Sequence, residues 1–72
     1  MPMWTVYDHP TDYPGTYVAR LWYLLPRGEA TDEVLTAATL PGLRLLIAKR
    51  TPWLVPVPRF EDDDLKIIEV WI

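Results

Sequence analysis

The residues best suited to chemistry lie together near the start of the chain, in residues 7–15, which read YDHPTDYPG. This segment holds the only histidine, His9, between the carboxylates of Asp8 and Asp12. A histidine beside carboxylates is typical of a general base or of a metal site. Two prolines in nine residues do not fit a helix or a central strand. We therefore expect an ordered connection between two strands, here called the proline loop.

The rest of the sequence does not complete either kind of site. The chain contains no serine and no cysteine, so His9 has only threonines as nearby nucleophiles. One histidine without cysteine disfavours a transition-metal site, and the three isolated glycines form no phosphate-binding loop. We expect a protein that is not an enzyme and uses no metal or cofactor. Asp8, His9 and Asp12 are expected to bond the backbone of their own loop.

Length and composition predict one domain spanning residues 1–72, half apolar, with four tryptophans and four tyrosines. A dense aromatic core can compensate for so small a size. The longest uncharged apolar run, residues 21–25, is too short to cross a bilayer. The first residues lack the pattern of a signal peptide, so we expect a soluble cytoplasmic protein without membrane contact.

The net charge of −3 is unevenly distributed along the chain. Residues 44–59 carry basic side chains without an acid among them, whereas residues 61–64 are all acidic. The acidic run is either a solvated turn or a patch that imitates nucleic-acid phosphates toward a partner. The acidic balance argues against general nucleic-acid binding. One alternative remains, in which residues 44–60 bind single strands through four basic and two aromatic side chains: Arg44, Lys49, Arg50, Trp53, Arg59 and Phe60.

The patterns predict strands over residues 3–7, 17–25 and 66–72. Residues 34–39 fit either a strand or the end of a short helix. Thr39 is expected to cap a helix that ends before Pro52, although Gly42 weakens it. The predicted inner face of this helix carries Leu40, Leu43, Leu46 and Ile47. Residues 53–58 alternate prolines with apolar residues, which suits an extended, edge-lying or polyproline-like segment.

Each of the three strands has one side that contains a polar residue: Thr5, Arg20 or Glu69. We assign these three sides to a common outer face of the sheet, which would also carry Tyr7, Val18, Trp22, Ile67 and Trp71. The uninterrupted sides would form the core under the helix, with Trp4, Val6, Ala19, Leu21, Tyr23, Leu25, Ile68, Val70 and Ile72.

A single helix covers only one side of a sheet, so the aromatic outer face is either exposed or covered by Trp53 and the prolines of residues 53–58. An exposed face of this kind would be a surface for a protein partner or for a homodimer. The candidate partner-binding residues are those of this face, its loop rim and the acidic run: Tyr7, Tyr13, Arg20, Trp22, Asp62, Asp63, Asp64, Glu69 and Trp71.

Two stretches of the chain also show a resemblance. Residues 7–20 have a YDxPxDYP motif followed by YVAR, and residues 54–72 have LVxVPRxxDD followed by IEVWI. With these motifs the chain resembles a group of small bacterial and phage proteins that have no assigned activity. The resemblance implies a helix over Leu40–Arg50, a strand over residues 34–39, and one architecture for the proline loop and the acidic turn. Pro41-Gly42 and Asp64-Leu65 depart from the pattern of the group.

The sequence as a whole predicts an α+β domain of order β-β-β-α-β, in which a small antiparallel sheet carries one helix on one face. The expected function is protein binding without catalysis. Size, acidity and the resemblance suggest a phage or mobile-element protein that docks on a host defence complex, as anti-CRISPR proteins do. The alternatives are a self-associating accessory protein and the single-strand binder described above.

Overall fold

The protein is described by a computed structural model over residues 2–23, 29–59 and 65–72. Its elements are, in chain order, β1 (Pro2–Asp8), β2 (Tyr17–Tyr23), β3 (Glu29–Ala37), α1 (Leu40–Arg50), β4 (Pro56–Pro58) and β5 (Ile67–Trp71). The five strands form one antiparallel sheet in the order β3-β2-β1-β5-β4. Helix α1 packs on one face of this sheet. The predicted α+β class is confirmed.

Helix α1 determines the topology because it carries the chain from one edge of the sheet to the other. Strands β1, β2 and β3 form a meander that ends at the β3 edge, and the helix then leads to β4 at the opposite edge. Strand β5 returns between β4 and β1. Residues 53–58 therefore supply an additional edge strand, in the segment where the prolines predicted extended, edge-lying structure.

Local signals fix both ends of α1. The Oγ1 atom of Thr39 accepts a hydrogen bond from the backbone N–H of Gly42 at 3.2 Å, which confirms the predicted N-cap. A Cβ atom at position 42 would lie 3.0 Å from that same oxygen, so glycine leaves room for the cap. At the other end, the backbone N–H of Thr51 donates to the carbonyl of Ile47, and Pro52 cannot extend the helix.

The core lies between α1 and the central strands. Its buried members are Trp4, Val6, Ala19, Leu21, Leu43, Ile47, Leu54 and Trp71. Six residues predicted to face the core, the first six of that list, are confirmed. Three other residues predicted to face the core are exposed instead. Tyr23 is 41% exposed because it lies at the end of β2, Ile72 is 48% exposed, and Leu46 of the helix is 39% exposed. Leu25 lies outside the described residues.

A polar contact joins the core to the end of the helix. Trp4 is fully buried, and its Nε1–H donates to Thr51 Oγ1 at 3.0 Å. The same hydroxyl donates to the carbonyl of Ile47 at 3.0 Å, so it satisfies a buried donor and a helix-terminal acceptor together. Thr51 thus ties the central strand to the C-terminus of α1.

This contact yields a stability prediction. Thr51→Val leaves the Trp4 indole N–H buried without its acceptor, so we expect the free energy of unfolding to fall by about 1–3 kcal/mol. Urea unfolding followed by tryptophan fluorescence measures the change. Thr36→Val, the same substitution at an exposed position of β3, is the matched control and should change stability by less than about 0.5 kcal/mol. Equal losses in both variants would contradict the role assigned to Thr51.

Candidate protein-binding face

The sheet face turned away from α1, here called the outer face, follows from the strand register. Thr5 of β1 pairs with Arg20 of β2 and with Val70 of β5, and Arg20 pairs with Val34 of β3. Side chains paired across strands share a face. The outer face therefore carries Met3, Thr5, Tyr7, Val18, Arg20, Trp22, Val34, Thr36, Val57, Ile67 and Val70. Six predicted residues of this face lie on it: Thr5, Tyr7, Val18, Arg20, Trp22 and Ile67.

The proline loop bends onto the outer face. Asp12 accepts a hydrogen bond from Nη2 of Arg20, and the Arg20 guanidinium lies over the Tyr13 ring, 5.8 Å from its centroid. Val18, on the same face, is fully buried. The structure thus brings two candidate residues, Tyr13 and Arg20, into contact at the rim of the sheet.

Asp8 and Asp12 were expected to bond the backbone of the proline loop, but their carboxylates contact side chains instead. Asp8 Oδ1 lies 2.5 Å from His9 Nδ1, and Asp12 is engaged by Arg20. The loop backbone closes instead on itself, where the N–H of Tyr13 donates to the carbonyl of Pro10 at 2.9 Å. A positive φ of 49° at His9 accompanies the sharp exit from β1. These bonds fix the loop over the sheet and hold His9 against Asp8.

The predicted placement of Glu69 and Trp71 on the outer face is wrong. Trp71 pairs with Trp4 and Glu69 pairs with Val6, so both side chains lie on the helix side of the sheet. Both residues are buried, Glu69 at 6% and Trp71 at 7% exposure. A polar residue in a strand indicated the solvent side, but here the carboxylate has charged and polar partners beneath the helix.

The Glu69 carboxylate is held by three hydrogen bonds. Arg44 of α1 donates from Nε at 3.2 Å and from Nη2 at 2.7 Å, and the Nε1–H of Trp71 donates at 2.7 Å. The side-chain hydrogen bond with Glu69 is the main cause that raises the pKa of Arg44 above its ordinary value. A buried carboxylate requires partners of this kind, so the ion pair locks α1 onto β5.

A register shift lets a further residue of β5 face the helix. Val6 pairs with Glu69, but the next residue of β1, Tyr7, pairs with Ile67, so Ile68 has no partner in β1. Ile68 packs against the core cluster from this bulge. It also lines a shallow cavity of about 350 Å³ at the β4 edge, together with Arg44, Pro56, Val57, Pro58 and Glu69. The two charged groups of this cavity are already paired with each other.

Because Trp71 faces the helix, its neighbours Val70 and Ile72 face outward. Val55 and Ile72 exchange two backbone hydrogen bonds of 3.0 Å, which continues the β4–β5 pairing beyond the strands. Val55 is 59% exposed and Ile72 is 48% exposed. Together with four adjoining outer-face residues they form what we call the apolar strip: Met3, Trp22, Val55, Val57, Val70 and Ile72.

Sequence reasoning missed most of the apolar strip and placed Val70 and Ile72 in the core. It included Trp22, whose indole Nε1 is buried and has no hydrogen-bond acceptor among the residues that the structure describes. The prolines of β4 could have indicated the strip, since an edge strand with alternating Pro and Val must turn its valines to one side. Of the two possible covers of the outer face, Trp53 is itself 65% exposed, and Pro56 and Pro58 pair with β5 as a strand.

The basic side chains of residues 44–59 are largely engaged. Arg44 pairs with Glu69, and Arg50 donates to Glu33 from Nε at 2.7 Å and from Nη2 at 3.0 Å. The side-chain hydrogen bond with Glu33 is the main cause that raises the pKa of Arg50. Two of the four cations proposed to contact phosphates thus already neutralise carboxylates.

Some predicted features lie outside the described residues. Asp62, Asp63 and Asp64 of the acidic run belong to residues 60–64, and so does Phe60. Within the described ranges, no group of three histidine, aspartate or glutamate side chains could hold a metal ion. No helix in those same ranges has the length and hydrophobicity that a membrane crossing requires.

Comparisons with protein-family models, with curated proteins and with solved structures give no significant match. The resemblance to small bacterial and phage proteins therefore stays a prediction, and the function must be argued from the surface itself.

The Glu69 site leads to a second stability prediction. Arg44→Met leaves a buried carboxylate with Trp71 as its remaining partner, and we expect a loss of about 1–3 kcal/mol in the free energy of unfolding. Arg50→Met is the matched control, because its partner Glu33 has a side chain 34% exposed, against 8% for Glu69. That exposed pair should contribute much less to the free energy of unfolding, because solvent screens it. Urea unfolding at neutral pH decides, and a larger loss in Arg50→Met would refute the assignment.

Proposed function

We propose that this protein is a non-catalytic protein-binding module whose binding surface is the outer face. The observation that carries the proposal is the apolar strip, in which Val55 and Ile72 are hydrogen-bonded neighbours yet remain about half exposed. Apolar side chains clustered on the surface of a small domain are typical of interaction sites. The strip leaves hydrophobic area that a partner protein could bury.

The surroundings of the strip support the same function. Stable interfaces combine an apolar centre with a polar rim in which tyrosine, tryptophan and arginine are enriched. Beside the strip lie Tyr7, Tyr13 and Arg20, and Asp12 holds the arginine in place. Because the guanidinium is already oriented, less side-chain entropy is lost when a partner contacts it. We propose Tyr7, Tyr13, Arg20 and Trp22 as partner contacts, and leave Glu69 and Trp71 to the core.

The finer setting that we propose is a mobile-element protein that docks on a host defence complex. The small size, the net charge of −3 and the acidic run support this setting. Acidic inhibitors can occupy surfaces that normally bind nucleic acid, since their carboxylates repeat the charge of phosphates. The partner would then be a basic, nucleic-acid-binding protein of the host.

The alternatives receive less support from the contacts. A single-strand binder would need free cations, whereas Arg44 and Arg50 are each bound to a glutamate through two hydrogen bonds. Self-association through the outer face would bury the same apolar strip, and it is recognised by a dimer in sedimentation that Ile72→Lys dissociates.

Charge insertion tests the outer face. Val55→Lys and Ile72→Lys should each weaken binding about tenfold or more, because the interface would bury an unpaired ammonium group. Leu45→Lys, at a 64% exposed position of α1, is the matched control and should bind like the wild type. The partner is first captured from cells of the native host, and affinities are then measured by calorimetry. Binding that survives both strip variants would refute the outer face as the site.

Charge reversal tests the proposed phosphate mimicry. Replacing Asp62, Asp63 and Asp64 by lysine should abolish steering toward a basic partner and slow association about tenfold or more at low salt. The wild-type association rate should fall as salt rises, because at 0.1 M salt charges more than about 10 Å apart are largely screened from each other. Stopped-flow measurements at two salt concentrations give both results. An association rate insensitive to salt and to the reversal would contradict the mimicry and leave the apolar strip untouched.

A further inference from the structure

The two edges of the sheet differ in their capacity to accept another strand. At one edge, Val55 exchanges backbone bonds with Ile72, so by the alternation of antiparallel pairing Val57 faces β5 as well. Pro56 and Pro58 then occupy the positions whose nitrogen atoms point away from the sheet. Proline has no N–H to donate, so this edge is protected against further pairing.

At the other edge, β3 contains no proline in its nine residues. Two hydrogen bonds show which of its backbone groups face inward. The Thr31 hydroxyl donates to the carbonyl of Leu21 at 3.0 Å, so that carbonyl points toward β3. By alternation along β2, the backbone of Ala19 also points toward β3, where its partner is Leu35.

The backbone groups of Leu35 are therefore used within the sheet, and those of its two neighbours, Val34 and Thr36, point to the open edge. The carbonyl of Ala37 faces inward in agreement, since it accepts from the hydroxyl of Thr16 at 2.6 Å. In the described ranges, β2 is the strand that pairs with β3. The N–H groups and carbonyls of Val34 and Thr36 can therefore form hydrogen bonds with a further strand.

We infer that a second copy of this chain pairs antiparallel with this open edge, about a two-fold axis at Leu35. In that register Val34 of one copy faces Thr36 of the other, and each of these two pairs exchanges two hydrogen bonds. The backbone groups of one residue on each side of Leu35 point outward, and a two-fold axis at Leu35 brings those of Val34 opposite those of Thr36. Such an edge is complementary to itself. The two sheets become one sheet of ten strands.

Side chains fit this register. Leu35 is half-buried against the core cluster, and across the axis it would contact its own copy and close the end of the core. Glu33 would lie opposite Ala37 and Asp32 opposite Ala38, so no carboxylate opposes another. A shift of the axis to Val34 would instead place Glu33 opposite Leu35, and a shift to Asp32 would oppose two acids directly. The register centred on Leu35 opposes no two carboxylates and is the favourable one.

Sedimentation equilibrium of the whole chain tests the inference. We expect the mass to rise with concentration from 8.4 kDa toward twice that value. Thr36→Pro removes an outward N–H that the monomer does not use, just as Pro56 and Pro58 do at the opposite edge. Two intermolecular hydrogen bonds are lost by symmetry, so the dissociation constant should rise about tenfold or more. Thr36→Val retains the N–H and should dimerise like the wild type.

Amide hydrogen exchange of the wild type gives a second readout that needs no variant. Protection of the Val34 and Thr36 amides should increase with protein concentration, whereas the Leu35 amide should be protected throughout. A chain that is monomeric at every concentration overturns the inference. A dimer that Thr36→Pro leaves intact but Ile72→Lys dissociates also overturns it, because that dimer would use the outer face. Since the edge and the apolar strip are separate, failure here does not touch the proposed function.

Discussion

The ion pair between Glu69 and Arg44 determines which side of β5 faces the core. Its carboxylate is buried and holds three hydrogen bonds from one arginine and one tryptophan, so it can satisfy its charge only beneath α1. Once Glu69 faces the helix, the two-residue period of the strand turns Trp71 inward and Val70 outward. The apolar strip on the outer face is thus a consequence of one polar contact on the opposite face.

Only α1 and the proline loop, among the parts of the chain that the structure describes, are seen to cover faces of the five-stranded sheet. Helix α1 buries one face through Leu43 and Ile47. On the other face, the proline loop covers part of β2 through the contact of Asp12 and Tyr13 with Arg20. Strand β4 lies at the opposite edge of the sheet from β3, two strands away from the β1–β2 hairpin that carries the loop. That geometry leaves the apolar strip at the β4 side of the sheet.

Local patterns predicted the elements, but the pairing of strands lay beyond them. The bounds of α1 were predictable because Thr39 and Pro52 act within a few residues of the helix ends. The side of β5 was not, because Glu69 finds its partner Arg44 at a separation of 25 residues and polarity alone indicated the solvent side. On β1 and β2 the same reasoning succeeded for Tyr7 and Arg20, and Arg20 finds its partner Asp12 on the outer face itself.

The open edge of β3 and the apolar strip become related if the β3 edges of two copies pair. A two-fold axis perpendicular to the sheet keeps both outer faces on the same side, and each apolar strip lies toward β4, away from the axis. A dimer would therefore present two separated strips to a single partner surface. Binding of the first strip would raise the effective concentration of the second, provided that the partner offers two sites at matching spacing. Because β4 contains prolines and β3 does not, the sheet would be extended by pairing at the β3 edge alone. The two apolar strips would then lie toward the two outer edges of the joined sheet.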